Sequence, residues 1–176
     1  MKRLIDPLTR YWPFVALVVS AAMLGAAHWF ESQGYAPCTL CLRQREVYWA
    51  AMIIAVLAIL GARFPGGERL TWAFDALLAL TFLYGAGLAF YHSGVEWKWW
   101  PGPAACASTG AGVSADAMDA LLGGAKIRPP ACDEPNWWFP HLGGFRGLTM
   151  ANWNTLASLG LAGLGALATV RRRRRS

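Results

Sequence analysis

The stretch "YAPCTLCLRQREVYWA", residues 35–50, sets two cysteines three apart directly before an apolar run, with Arg43 and Arg45 in the first turns of that run. Pro37 brings the chain in extended, so a helix is expected to begin between Thr39 and Cys41. Sulfur at a helix N-terminus meets unpaired backbone N–H groups and the positive end of the helix dipole, which favour a thiolate. Arg45 follows Cys41 by four residues, one turn along the same face. Its guanidinium stays charged and suits either a thiolate or the oxygen of a ligand. At a bilayer edge it can snorkel rather than be buried in full. Arg43, with Glu46 three residues on, reads as an interfacial anchor.

Working outward, the 176 residues make one domain's worth of chain. The chain is 56% apolar and only 15% charged, with ten tryptophans. Soluble domains carry about a quarter charged residues, so this balance points to the membrane. Four stretches are long and apolar enough to cross ~30 Å of hydrocarbon at ~1.5 Å per residue. They fall at about 13–30, 42–60, 70–91 and 148–170. The fold class is therefore all-α: a four-transmembrane-helix bundle. A short outer loop (about 31–41) joins the first two spans, and a long one (about 93–147) lies between helices 3 and 4. The first thirty residues also resemble a secretory signal, but their apolar run exceeds the usual 7–15 residues and ends in "HWFE". A span is the better reading.

Basic residues orient the bundle. Lys2, Arg3, Arg10, Arg63, Arg69 and Arg171 to Arg175 fall on one side, and none lies between spans one and two. The positive-inside rule then puts both termini in the cytoplasm. The formal charge of +6 owes much to the terminal arginines, so it signals topology and not nucleic-acid binding. In the long loop, "VEWKWWPGP" and "NWWFPHL" are tryptophan clusters suited to the headgroup region, and "SADAMDALLGG" reads as a short amphipathic helix.

All four cysteines, Cys38, Cys41, Cys106 and Cys132, then fall on the outer side. An oxidising compartment and an even count permit disulfides, in three possible pairings. Two cysteines three apart are typical of a redox pair or half a metal site. The wide gap between Cys106 and Cys132 leaves no second short-spaced pair, which argues against zinc.

At these residues the chain resembles the disulfide bond formation protein B (DsbB) family, quinone-linked thiol oxidases of the bacterial inner membrane. "CTLCLRQR" carries that family's C-x-x-C-x-x-x-R arrangement, and "YHSGVEWKWWPGPAAC", "PPACDEPNWWF" and "GLTMANWNTLASL" are similar to family segments. The resemblance covers nearly the whole chain. It implies that Cys106 and Cys132 accept electrons from a periplasmic DsbA-like thioredoxin-fold thiol oxidase, with Cys106 taking the partner's attack. Cys38 and Cys41 would receive the electrons through a link between Cys38 and Cys132, with Cys38–Cys41 and Cys106–Cys132 as the resting pairs. Cys41, as a thiolate, and Arg45 would face a quinone, ubiquinone or menaquinone. A mobile outer pair and a fixed inner pair would let one protein serve a soluble partner and a lipid-borne acceptor. The placement of histidine and glutamate in "YHSGVE" departs from the family's familiar members.

Two rival readings use the same residues. His28 and His92 lie near the outer ends of spans one and three, and facing histidines in a four-helix bundle can ligate a b-type haem. Alternatively, His92 and Glu96 bound the quinone pocket or move protons. A vitamin-K-epoxide-reductase-like enzyme also joins four helices, a Cys-x-x-C and a quinone, but there the quinone-facing pair comes late in the bundle. His141 receives no role. Asp75 is expected to anchor to Arg69 or water, Asn152, Asn154 and Ser158 to bond between helices or touch the quinone. Gly160, Gly163 and Gly165 are expected to allow close helix packing.

Overall fold

The computed structural model describes residues 2–66, 70–103, 106, 131–135, 137–139 and 147–174, without the side chains of residues 2–5. The expected amphipathic helix in the long loop, Arg69, Lys126, Arg128, His141 and Arg146 lie outside the described residues. Helix α1 spans Lys2–Arg10, α2 Trp12–Ser32, α3 Thr39–Gly61 and α4 Thr71–Glu96. Strands β1 (Trp138–Phe139) and β2 (Leu148–Thr149) form a short antiparallel pair, and α5 runs Met150–Arg173. Among the described residues, helices α2 to α5 are the four long enough and apolar enough to cross a membrane.

Local chemistry sets the helix starts. Pro13 occupies the first turn of α2, where its missing N–H costs nothing. Cys38, extended at ψ 172°, is the N-cap of α3, and its sulfur accepts from the Cys41 amide. Thr149 caps α5 in a reciprocal capping box with Asn152. Asn152 therefore serves its own helix rather than bonding between helices, because it sits three residues past the cap.

The core at mid-bundle is built from Trp12, Tyr48, Ala51, Ala55, Leu78, Phe82 and Leu161. Small residues let backbones approach: a Cβ on Gly85 would stand 2.9 Å from Val47, and one on Gly165 3.0 Å from both Ala79 and Trp12. Gly160 and Gly163 face open space, so of the three expected packing glycines only Gly165 has that role. Val18, Ile53, Leu80 and Leu83 point outward and remain exposed, as a lipid-facing surface requires.

Two helices overrun their expected ends, with consequences for chemistry. Helix α5 continues to Arg173, which carries Arg172 to 2.8 Å from the fully buried carboxylate of Asp75. Among the described residues Arg172 is thus the anchor of Asp75. Arg171 bonds to Asp6 and Thr9 of α1, both at 2.8 Å, closing that end of the bundle. Helix α4 continues through Glu96, adding a turn that carries Ser93, Gly94 and Val95 into the interior. Gly94 makes this possible. Trp100 folds back across it so closely that a Cβ there would lie 2.0 Å from the indole. The indole N–H donates to Tyr91 O at 2.9 Å, and the ring stacks on Tyr91. The chain reverses at Lys98, the one described non-glycine residue with positive φ. Trp97 and Trp99 stay exposed.

Candidate active site

The inner cysteines sit side by side at the start of α3, with Sγ atoms 2.8 Å apart and no bond between them. Cys38 is the anion-favoured sulfur. Its thiol pKa is held below the usual range by a hydrogen bond from Cys41 and by backbone amides of Cys41 and Leu40, against the opposing effect of burial. The family resemblance implies a quinone-facing thiolate at Cys41; in the structure, with both thiols free, the helix-terminal amides converge on Cys38.

The outer cysteines, Cys106 and Cys132, are joined in a disulfide across a sequence separation of 26. This disulfide packs directly on the inner pair. Cys38, Leu40, Val95, Cys106 and Cys132 form one buried cluster. Thr39, between the inner cysteines, places its hydroxyl 2.9 Å from the sulfur of Cys106 and 3.4 Å from that of Cys132. All four cysteines thus converge at one end of the bundle. Lys98, past the end of α4, pairs with Asp133 beside Cys132 and holds that carboxyl below its ordinary range.

Beneath the cysteines lies a cavity of about 310 Å³. Met23, Leu24, Ala27 and Phe30 of α2 form an apolar wall, and Cys41, Gln44, Arg45, Tyr48, His92, Glu96 and Asn154 bring polar groups. Cys132, Pro135 and Trp137 line the same cavity, and Trp137 packs edge-on against Phe30 at 5.5 Å. A mostly apolar cleft with a few convergent polar groups is the usual form of a small-molecule site. Helical spacing explains the polar stripe: Cys41, Gln44, Arg45 and Tyr48 stand at i, i+3, i+4 and i+7 on one face of α3. Arg45 does not point freely into the cavity. Its side chain, 15% exposed, donates to Glu31 at 2.7 Å and to Ala27 O at 3.2 Å. Sequence analysis missed Glu31 because its partner lies on another helix.

His92 is buried within this group. One ring nitrogen, Nε2, lies 3.6 Å from Cys38 Sγ and 3.2 Å from Cys132 O. The other, Nδ1, bonds to Gln44 at 2.8 Å, and Gln44 bonds in turn to Asn154, which meets Tyr48. Glu96, one turn along α4, approaches His92 at 3.8 Å and accepts from the Thr149 hydroxyl at 2.5 Å. Ser158 completes the group beside Tyr48 at 3.3 Å.

The sulfurs of Cys38 and Cys41 and a ring nitrogen of His92 lie within 4.8 Å of one another, a spacing that ligands of one metal ion share. A carbonyl oxygen only accepts, so Nε2 must direct a hydrogen at Cys132 O, whereas a metal needs the lone pair. The haem reading fails on geometry. His28 is 60% exposed and pairs with Glu31 at 3.5 Å, while His92 is buried with both ring nitrogens engaged, so the two rings do not face a common site.

The family model "Disulfide bond formation protein DsbB" matches residues 9–168. The chain belongs to the DsbB family. A disulfide bond formation protein B 1 of Pseudomonas fluorescens is 29% identical over 165 residues, covering 94% of this chain and 91% of the relative. A disulfide bond formation protein B of Aromatoleum aromaticum is 29% identical over 162 residues, 89% of each chain. A Pseudomonas entomophila relative reaches 35% over 95 residues, 52% of this chain and 54% of its own. No solved structure matches. Membership of the DsbB family makes the protein a multi-pass membrane protein with disulfide oxidoreductase activity, and it removes the vitamin-K-epoxide-reductase reading.

Proposed function

We propose that this protein reoxidises a periplasmic, DsbA-like thioredoxin-fold thiol oxidase and passes the electrons through its two cysteine pairs to a membrane quinone, ubiquinone or menaquinone. It sits in the bacterial inner membrane with both termini cytoplasmic and the cysteines periplasmic. The observation that carries this reading is the packing of the outer disulfide, the inner thiols and a largely apolar cavity into one cluster.

The exchanges balance as follows. A partner dithiol attacks Cys106 of the outer disulfide, and the partner leaves oxidised with Cys106 and Cys132 as thiols. Cys132 attacks Cys38 of an inner disulfide through a Cys38–Cys132 link. Closure of Cys106–Cys132 then leaves Cys38 and Cys41 reduced. With the outer pair bonded and the inner pair free, two inner thiols would carry the two electrons and two protons. When bound, a quinone supplies the acceptor for both. The cavity fits such a group: its volume and apolar α2 wall suit a ring with a lipid tail, and its polar groups gather at one side.

The chain's own residues have definable tasks there. Arg45, fixed by Glu31 and the Ala27 carbonyl, presents a permanent positive charge to an acceptor oxygen that gains charge. His92 lies against Cys38, and Glu96 one turn along α4 can hold a proton that leaves the thiols. Cys132, Pro135 and Trp137 line the cavity from the outer segment, where they would limit water around the thiols. The test is a stoichiometric assay with purified protein, a reduced thioredoxin-fold oxidase and added quinone. One quinone reduced per partner disulfide formed, abolished in Cys41→Ser, supports the reading. Partner oxidation without quinone reduction contradicts it.

A further inference from the structure

One carbonyl fixes the direction of a whole hydrogen-bonded chain. Because Cys132 O can only accept, the hydrogen of a neutral His92 ring lies on Nε2. Nδ1 is then a bare acceptor, so Gln44 must present its NH₂ to it and its Oε1 to Asn154. Asn154 in turn must donate its NH₂ to Gln44 and offer Oδ1 to the Tyr48 hydroxyl. Every member has one role, and the chain is buried along its length. The single Nε2 hydrogen has three acceptors in reach: Cys132 O at 3.2 Å, Cys38 Sγ at 3.6 Å and Glu96 Oε1 at 3.8 Å. The first belongs to the outer disulfide and the second to the inner pair. Whatever moves Cys132 changes which acceptor receives the hydrogen.

We propose that Asn154 and Gln44 are positioning residues that hold the His92 hydrogen on Nε2, and that this hydrogen passes from the Cys132 carbonyl to the Cys38 sulfur when the outer segment lifts away. The proposal rests on the reading that the two pairs exchange disulfides, and it deepens it. A docked outer disulfide makes Cys38 share this hydrogen with the Cys132 carbonyl. An undocked one leaves it wholly to Cys38 and strengthens the bond that stabilises its thiolate, so inner-pair reactivity follows the position of the outer pair. Glu96 is the remaining competitor, and Thr149 restrains it through its other oxygen.

The test uses the full chain in nanodiscs, labelled with ¹⁵N-histidine; only three histidines are present, and His92→Gln assigns the signal. The wild type is expected to show the Nε2–H tautomer. Asn154→Asp keeps the shape but can only accept. It draws the Gln44 NH₂ to itself, turns Oε1 toward Nδ1 and moves the His92 hydrogen to Nδ1. Gln44→Glu imposes the same reversal and serves if the first variant fails to fold. In a Cys41→Ser background with Cys106 and Cys132 reduced, alkylation of Cys38 should be about fivefold slower in either variant, the loss of one hydrogen bond. Restoring an amide by Asn154→Gln should return part of the rate. A wild-type ring protonated on Nδ1, or a tautomer and alkylation rate unmoved by both reversals, would overturn the proposal. Neither readout requires quinone. A protein that shows the tautomer shift yet reduces no quinone would sink the proposed function and leave this inference standing.

Discussion

The two ends of the bundle use charge and polarity in opposite ways. At the end where the termini meet, Arg172 closes on Asp75 and Arg171 on Asp6 and Thr9, each cation with its own partner across helices. At the cysteine end, groups compete. His92 has three acceptors in reach of one hydrogen, Arg45 is held by Glu31 yet borders the cavity, and Cys38 takes several donors. The first pattern fixes helices in place. The second keeps alternatives close in energy, which a site that must cycle between bonded and free sulfurs requires. The apolar core around Trp12, Leu78 and Phe82 separates the two ends.

The sharpest way to break the comparison is to remove a sulfur. Cys41→Ser or Cys38→Ser is expected to abolish quinone-linked thiol oxidation while leaving thermal unfolding in detergent nearly unchanged. At the opposite end, Arg172→Met leaves the Asp75 carboxylate buried and unpaired. That should cost about 3 kcal/mol of stability, read as a lower Tm, with kcat for remaining folded protein unaltered. If Arg172→Met lowered activity without lowering Tm, the division between the ends would be wrong.

Next in size is Arg45→Met, which removes the one charged donor bordering the cavity among the described residues. A charge-assisted hydrogen bond contributes about 1.5–3 kcal/mol, so kcat/KM for quinone should fall ten- to a hundredfold, with partner binding retained. Glu31→Gln frees Arg45 and should change the same constant by less. The pH dependence of Cys38 is a finer probe. Its thiolate is favoured, so alkylation should persist to pH values below the ~8.5 midpoint of a free thiol. A midpoint at or above 8.5 would remove the case for a helix-capped anion. Smallest is Lys98→Ala, which releases Asp133 from an exposed pair and should cost under about 1 kcal/mol. The Asp133 carboxyl is held below its ordinary value, so the pair persists at neutral pH. It is lost only as pH falls below ~3.9, where a rise in outer-disulfide reduction rate would register the release.

The four spans were legible in the sequence because length and apolarity alone define them, and so was the gathering of the cysteines, which follows from an even number of crossings with charge on one side. Arg45 was legible from its spacing to Cys41. Gln44 and Tyr48 share that helical face and could have been read the same way. What the sequence hid depends on partners far along the chain. Glu31, which received no role, meets Arg45 from another helix, and α5, expected to stop at Val170, continues far enough to carry Arg172 within reach of Asp75. The third span was expected to end near residue 91, and Gly94 lets the helix run on to Glu96 by admitting the Trp100 ring.

The central claim is that the outer and inner cysteine pairs form one exchange site, with Cys38 and Cys132 as its link. A Cys41→Ser, Cys106→Ser variant retains only those two sulfurs, and peptide mapping of the non-reduced protein after mild oxidation tests the link directly. A Cys38–Cys132 disulfide in nearly all of the protein is the expected result. Two cysteines that both remain alkylatable would contradict the account, because sulfurs packed into one cluster around His92 have no reason to stay apart.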